Sequence, residues 1–157
     1  MPATTCFEGG EAGAWEIVSI GTIAGPGEDW RAARLAVTGA SDGAGAAFIL
    51  RGVASNIRYS TREEAKDLRS VQAGLGRSEA RSAALIPISK SDAWWALAQD
   101  ERRAIFEEDS RHHSIGRRYL PEIARKLYHA RDLGEPFDFL TWFEFAPGHE
   151  MLFNRLL

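Results

Sequence analysis

Phe137 to Phe145 reads FDFLTWFEF, and its alternation decides the fold class. Side chains two positions apart in a strand share a face, so Phe137, Phe139, Thr141, Phe143 and Phe145 line one aromatic-rich side, and the segment is expected to be a strand against a core. Just upstream, Gly134 suits a helix stop. From Ser91 to Ala130 almost every residue is compatible with helix, with Pro121 marking a boundary or kink because it lacks a backbone donor. Downstream, a last helix is expected after Pro147.

Working further outward, Ser82 to Ser89 (SAALIPIS) is a short apolar run suited to a buried strand, and Pro87 points to an irregular or edge position. Thr61 and Glu64 have the spacing of a capping box, so a helix is expected from Thr61 to the breaker at Gly74-Leu75-Gly76. Phe48 to Tyr59 and Trp15 to Ala24 read as strands. Ten of the 15 glycines fall in the first 52 residues, and positions 25 to 45 read as a loop-rich, trimmed region. The order strand, strand, helix, strand, helices, strand, helix is that of an α+β domain with a largely antiparallel sheet.

Composition narrows the function classes. The chain has 157 residues, 45% of them hydrophobic, with 19 Lys plus Arg against 22 Asp plus Glu, an ordinary globular balance. A net charge of -3 provides no basic footprint for a dedicated nucleic-acid binder. No apolar run approaches the roughly 18 residues of a membrane span, and the N-terminal MPATTCFEGG does not read as a leader. The single thiol, Cys6, fits a reducing compartment, so a cytoplasmic location is expected.

Chemistry concentrates in the helix-compatible region. With His112 as reference, Ile115, Gly116, Tyr119, Ile123 and Leu127 fall on one mostly apolar helical stripe. His112 then points inward, either as a buried, hydrogen-bonded histidine or as an axial ligand to haem iron, with Gly116 leaving room for a flat macrocycle. His113 lies about 100° round the helix and reads as a surface residue. Arg125 sits between Ala124 and Leu127, near the stripe, where a permanently charged guanidinium needs an anionic or strongly polar partner. On an unbroken helix Arg125 would be roughly 20 Å from His112 and about 140° round, so spacing does not join the two. The tandem Trp94 and Trp95 suit a core, a haem edge or a subunit interface. Glu107 and Glu108 have no obvious partner acid, and no nucleophile elbow, Walker pattern or zinc cluster is present.

The strings RGVASNIRYST (51–61), AALIPISKSDAWWALAQDERRAIFE (83–107) and HHSIGRRYLPEIARKLYHARDLGEPFDFLTWFEF (112–145) resemble the chlorite dismutases, in particular their short, dimeric, cytoplasmic branch. The likeness is most specific where Arg-Lys-Leu-Tyr-His precedes Asp-Phe-Leu-Thr-Trp-Phe-Glu. Position by position, the resemblance implies that His112 is the proximal ligand of a haem b iron and Arg125 the distal arginine over the opposite haem face. It implies that Lys90 lies in the proximal pocket and Trp94 at the haem edge. Gln72 corresponds to a distal glutamine that holds the arginine, and Thr141 and Phe143 to the distal wall. Asn56 and Tyr59 fall in the segment expected at the propionates.

The fold so implied is a ferredoxin-like α+β barrel, an antiparallel sheet with helices on one face. Residues 1–60 would form a shortened first half and residues 61–157 the haem-binding half. The family carries beyond this point a further strand and a glutamate that hydrogen-bonds the proximal histidine, so the second half is expected to lack its last strand. The reaction implied is decomposition of chlorite to chloride and dioxygen in a homodimer, with ferric haem on His112 and Arg125 retaining a hypochlorite intermediate. The alternatives are a haem peroxidase-like protein, a coproheme decarboxylase-like protein, against which Arg125 argues, and a haem-free ferredoxin-like dimerisation module.

Overall fold

The structure, a computed structural model, describes residues 3–54, 62–63, 74–105 and 122–157. The chain forms two compact units, Met1–Ala54 with His129–Pro136, and Ser55–Tyr128 with Phe137–Leu157.

The first unit holds strands β1 (Thr4–Gly10), β2 (Trp15–Glu16), β3 (Arg34–Thr38) and β4 (Phe48–Ala54), hydrogen-bonded in the order β2-β3-β1-β4. Every pair among them is antiparallel. Phe7 on the central β1 lies opposite Val37 and Leu50 and is fully buried. Gly9 pairs with Phe48, whose ring lies across it so closely that a Cβ would sit 2.2 Å from Cε1. Trp30 stacks on that ring, centroids 4.5 Å apart. The Glu135 carboxylate accepts a hydrogen bond from the Arg51 amide at 3.2 Å and pairs with its guanidinium at 3.5 Å.

Two readings of this unit need correction, and one strand had no reading. The strand expected over Trp15 to Ala24 is only Trp15–Glu16, because β3 offers it partners only at Leu35 and Arg34; Val18, just beyond, is 89% exposed. The loop-rich stretch contains β3, five residues flanked by glycine-rich sequence that become a strand through pairing with β1. Thr4–Gly10, which ends in two glycines, is a strand for the same reason. The run from Phe48 is a strand to Ala54, and its continuation lies outside the described residues, as does most of the helix expected from Thr61.

In the second unit β7 (Phe139–Phe145) lies between β6 (Ile123–His129) and β5 (Ser82–Ile88). β5 and β7 run antiparallel from Ser82 opposite Phe145 to Ile88 opposite Phe139. β5 ends the strand order, which accounts for Pro87: an edge strand has a side where no donor is needed. β6 corrects the long helical reading, since Ile123, Arg125 and Leu127 lie on a strand. The helical stripe drawn through Ile123 and Leu127 does not extend that far, and the spacing objection to Arg125 loses its premise. Ala, Arg, Lys and Leu favour helix by propensity, yet pairing with β7 outweighs it.

Short helices complete the unit. α1 (Asp92–Trp95) is capped by Ser91, whose Oγ accepts from the Trp94 amide at 3.2 Å. α2 (Gln99–Arg103) follows, with the Glu101 carboxylate accepting from the Ala98 amide at 2.7 Å. Gly134 stops a 3₁₀ turn (Arg131–Leu133) rather than a long helix, at the left-handed φ of 73° that glycine adopts without strain. After a second 3₁₀ turn at Pro147–His149, α3 (Glu150–Leu156) closes the chain as expected. No helix among the described residues is long and apolar enough to cross a membrane.

Phe153 fastens α3 to the sheet. Its ring is stacked on Phe145 (4.6 Å) and tilted against Phe143 (5.2 Å), in a cluster with Ile123. Phe153→Ala is expected to cost about 3 kcal/mol of unfolding free energy, read by chemical denaturation. A loss below about 1 kcal/mol would show that α3 is not held through this ring.

Candidate functional site

Alternation along β6 and β7 assembles the site. Ile123 packs with Phe143, Phe145 and Phe153, so it shares the face of β7 that carries the odd-numbered residues. Two residues on, Arg125 emerges on that same face. Phe139, Thr141 and Phe143 belong to it, as do their register partners Ile88, Ile86 and Ala84 on β5. The structure therefore brings Arg125, Thr141 and Phe143 onto one face of two adjacent strands.

Helices cover the two ends of this face. Phe153 of α3 lies over Phe143 and Phe145. At the other end α1 sets Trp95 in a stack on Phe139, centroids 5.7 Å apart, and Trp94 edge-on to it at 6.3 Å. Between them lie buried Thr141 and its register partner, half-buried Ile86, and half-buried Arg125 emerges on the same face from β6. Burial pushes the Arg125 guanidinium below its usual pKa. That value starts so high that the group stays charged at any working pH.

Lys90 and Trp94 are joined at the α1 end, with the Lys90 ammonium 5.4 Å from the Trp94 ring centroid. Asp138 fixes this corner. One carboxylate oxygen accepts both the Lys90 amide (2.7 Å) and the Trp95 indole N–H (3.1 Å). The Asp138 amide in turn donates to the Ile88 carbonyl at 3.0 Å.

Sequence reasoning passed over three residues here. Asp138 is one, and buried Arg102, whose guanidinium lies over Trp94 and Trp95, is the second. The third is Glu144, on the opposite face of β7. Its carboxylate is buried and accepts the Trp142 indole N–H at 2.9 Å and the Gly76 amide at 2.7 Å. An acid between two phenylalanines in a strand was the available signal for Glu144. Nothing in Gln99–Arg103 separates Arg102 from its charged neighbours. His112, His113, Gln72, Asn56 and Tyr59 lie outside the described residues.

Known proteins share both sequence and fold. The family model described as chlorite dismutase matches residues 38–152. The dimeric chlorite dismutase of Nitrobacter winogradskyi is 55% identical, with a TM-score of 0.90 over 97% of this chain and 86% of that one. The chlorite dismutase of Candidatus Nitrospira defluvii, solved in complex with imidazole, is 30% identical with a TM-score of 0.55 over 78% of this chain and 47% of that one. A curated chlorite dismutase from Ideonella dechloratans is 30% identical over 97 residues, 60% of this chain, and the match spans about a third (33%) of that relative's length. The α+β fold is accordingly ferredoxin-like. With 115 consecutive positions under the family model and that structural agreement, the chain belongs to the chlorite dismutase family.

Proposed function

We propose that the protein is a haem b enzyme that decomposes chlorite to chloride and dioxygen, working as a cytoplasmic homodimer. What supports this reading is the face on which Arg125 emerges: a desolvated cation on the strand face it shares with Ile123, the face that on β7 carries Thr141 and Phe143 and meets aromatic helix contacts at its two ends. Such a face suits a flat, largely apolar ring with a small anion held above it. A surface lined with carboxylates would suit neither.

By family correspondence His112 would ligate the iron, and Lys90 and Trp94 would border the ring. Asn56 and Tyr59 would meet the propionates. When bound, the haem supplies the redox chemistry that takes an oxygen atom from chlorite. The protein's part is attraction, orientation and enclosure. Arg125 draws the anion in and holds it by charge-assisted hydrogen bonds, which gain strength where water is excluded. The same fork would retain hypochlorite until it is consumed, with Gln72 steadying the guanidinium. Thr141 and Phe143 form the wall that keeps water and leaving species in place. The dimeric state is taken from the Nitrobacter winogradskyi relative.

Two experiments test the assignments. Arg125→Ala should keep the fold and the Soret band, lose about 10²- to 10³-fold in oxygen evolution and bleach sooner from escaping hypochlorite, while Arg125→Lys falls between it and the parent. Oxygen evolution at the parent rate in the Ala variant would remove the main support for the reading. His112→Ala should abolish or rearrange the Soret band that His113→Ala leaves in place; an unaltered band in the His112 variant would overturn the ligand assignment.

Stability should move the other way. Burial lowers the folded-state pKa of a base, so the charge costs stability at every pH below that value, including neutrality. Arg125→Met, free of haem, is therefore expected to melt at or above the parent temperature at pH 7. A clear drop would mean that Arg125 is needed for folding.

A further inference from the structure

We infer that Arg102 is a positioning residue for the tandem tryptophans and, together with Lys90, holds the Trp94 indole against one-electron oxidation. The inference deepens the haem reading, because Trp94 is the residue expected at the haem edge.

The geometry is specific. Arg102 is 8% exposed and lies in α2, its amide donating to the Ala98 carbonyl at 3.0 Å. From there its Nε donates to the Trp94 carbonyl at 3.2 Å and its Nη2 donates to the Trp95 carbonyl. The Trp94 carbonyl, which also accepts from the Leu97 amide at 3.2 Å, and the Trp95 carbonyl both lie at the end of four-residue α1, so one guanidinium ties the two tryptophans together there. The same cation lies over both rings, 4.9 Å from the Trp94 centroid and 5.0 Å from that of Trp95. Lys90 adds a second cation at 5.4 Å to Trp94.

A clamp alone needs only N–H donors. A purely structural tie does not require two cations over one buried indole. They also do what a neutral donor cannot. A cation is attracted to the negative face of a neutral ring. Removing one electron turns that attraction into repulsion between like charges in a region that screens them poorly. The oxidised state of Trp94 is thereby disfavoured by both cations, while at Trp95 Arg102 acts against the Asp138 carboxylate that accepts the indole N–H. The tryptophans stay reduced next to a centre that handles strong oxidants.

The whole 157-residue chain without haem tests this, so that failure of the haem reading leaves the result standing. The probe is photogenerated ruthenium(III) tris-bipyridine. It takes one electron from an indole and becomes ruthenium(II), the indole radical cation loses its Nε1 proton to a base, which at Trp95 is the Asp138 carboxylate that already accepts that N–H, and the resulting neutral radical adds dissolved dioxygen to form products located by peptide mass spectrometry. Trp142 serves as internal reference. Arg102→Met should raise oxidation at Trp94 and Trp95 about tenfold, while Arg102→Lys, which keeps the charge, stays near the parent. Lys90→Met should raise oxidation at Trp94 and leave Trp95 unchanged. Equal rises in Arg102→Met and Arg102→Lys would reduce the role to packing and overturn the inference, as would no change in Arg102→Met. If Arg102→Met fails to fold by near-UV circular dichroism, Lys90→Met decides, and unchanged Trp94 oxidation there overturns it.

Discussion

Phe139–Phe145 is buried at every one of its seven positions, so both faces of this strand must meet apolar surface or fully satisfied polar atoms. On the even face that demand is met by Leu140 and Trp142 and by Glu144, whose two carboxylate oxygens each accept a hydrogen bond. On the odd face Phe153 takes one end and the α1 tryptophans the other. The middle of the odd face is where Thr141 lies, on the face that also carries Arg125. Covering a strand on both sides thus brings the candidate site into being.

Arg125 runs against that apolar logic. A desolvated guanidinium weakens a fold relative to a hydrophobic side chain of similar size, and its retention makes sense as a functional investment. The tryptophan corner shows the same trade in a milder form. There Arg102 satisfies two backbone carbonyls while its cation rests on two rings, and Asp138 supplies one oxygen to two donors. At this corner the charged groups are tied to Trp94 and Lys90, which the proposed chemistry uses, whereas buried Glu144 serves the Trp142 indole and the Gly76 amide.

Several of these features were legible in the sequence. The two-residue period of FDFLTWFEF identifies β7, Pro87 identifies an edge, and Gly134 and Pro147 mark a stop and a start. β6 was not legible, because IARKLYH is made largely of helix-favouring residues and becomes a strand only through its partner. β3 was missed in the same way. Among the site residues, Arg125 stood out as a cation next to apolar residues, its distal role and Thr141 and Phe143 came through family resemblance, and alternation along two strands puts the three on one face. Arg102 and Asp138 escaped because a charged residue in a polar segment carries no local sign of burial. The hydrogen bond of Asp138 to the Lys90 amide spans 48 residues of chain, and no local pattern encodes such a separation.

The account rests on Arg125 acting through its charge on an anion at the haem. Binding of nitrite, an anion, and imidazole at a pH where it is neutral, to haem-loaded parent and Arg125→Met protein compares charge with shape directly. Loss of a charge-assisted hydrogen bond is expected to weaken nitrite binding by about tenfold or more while imidazole affinity stays the same. Equal nitrite affinity in the two proteins would contradict the account.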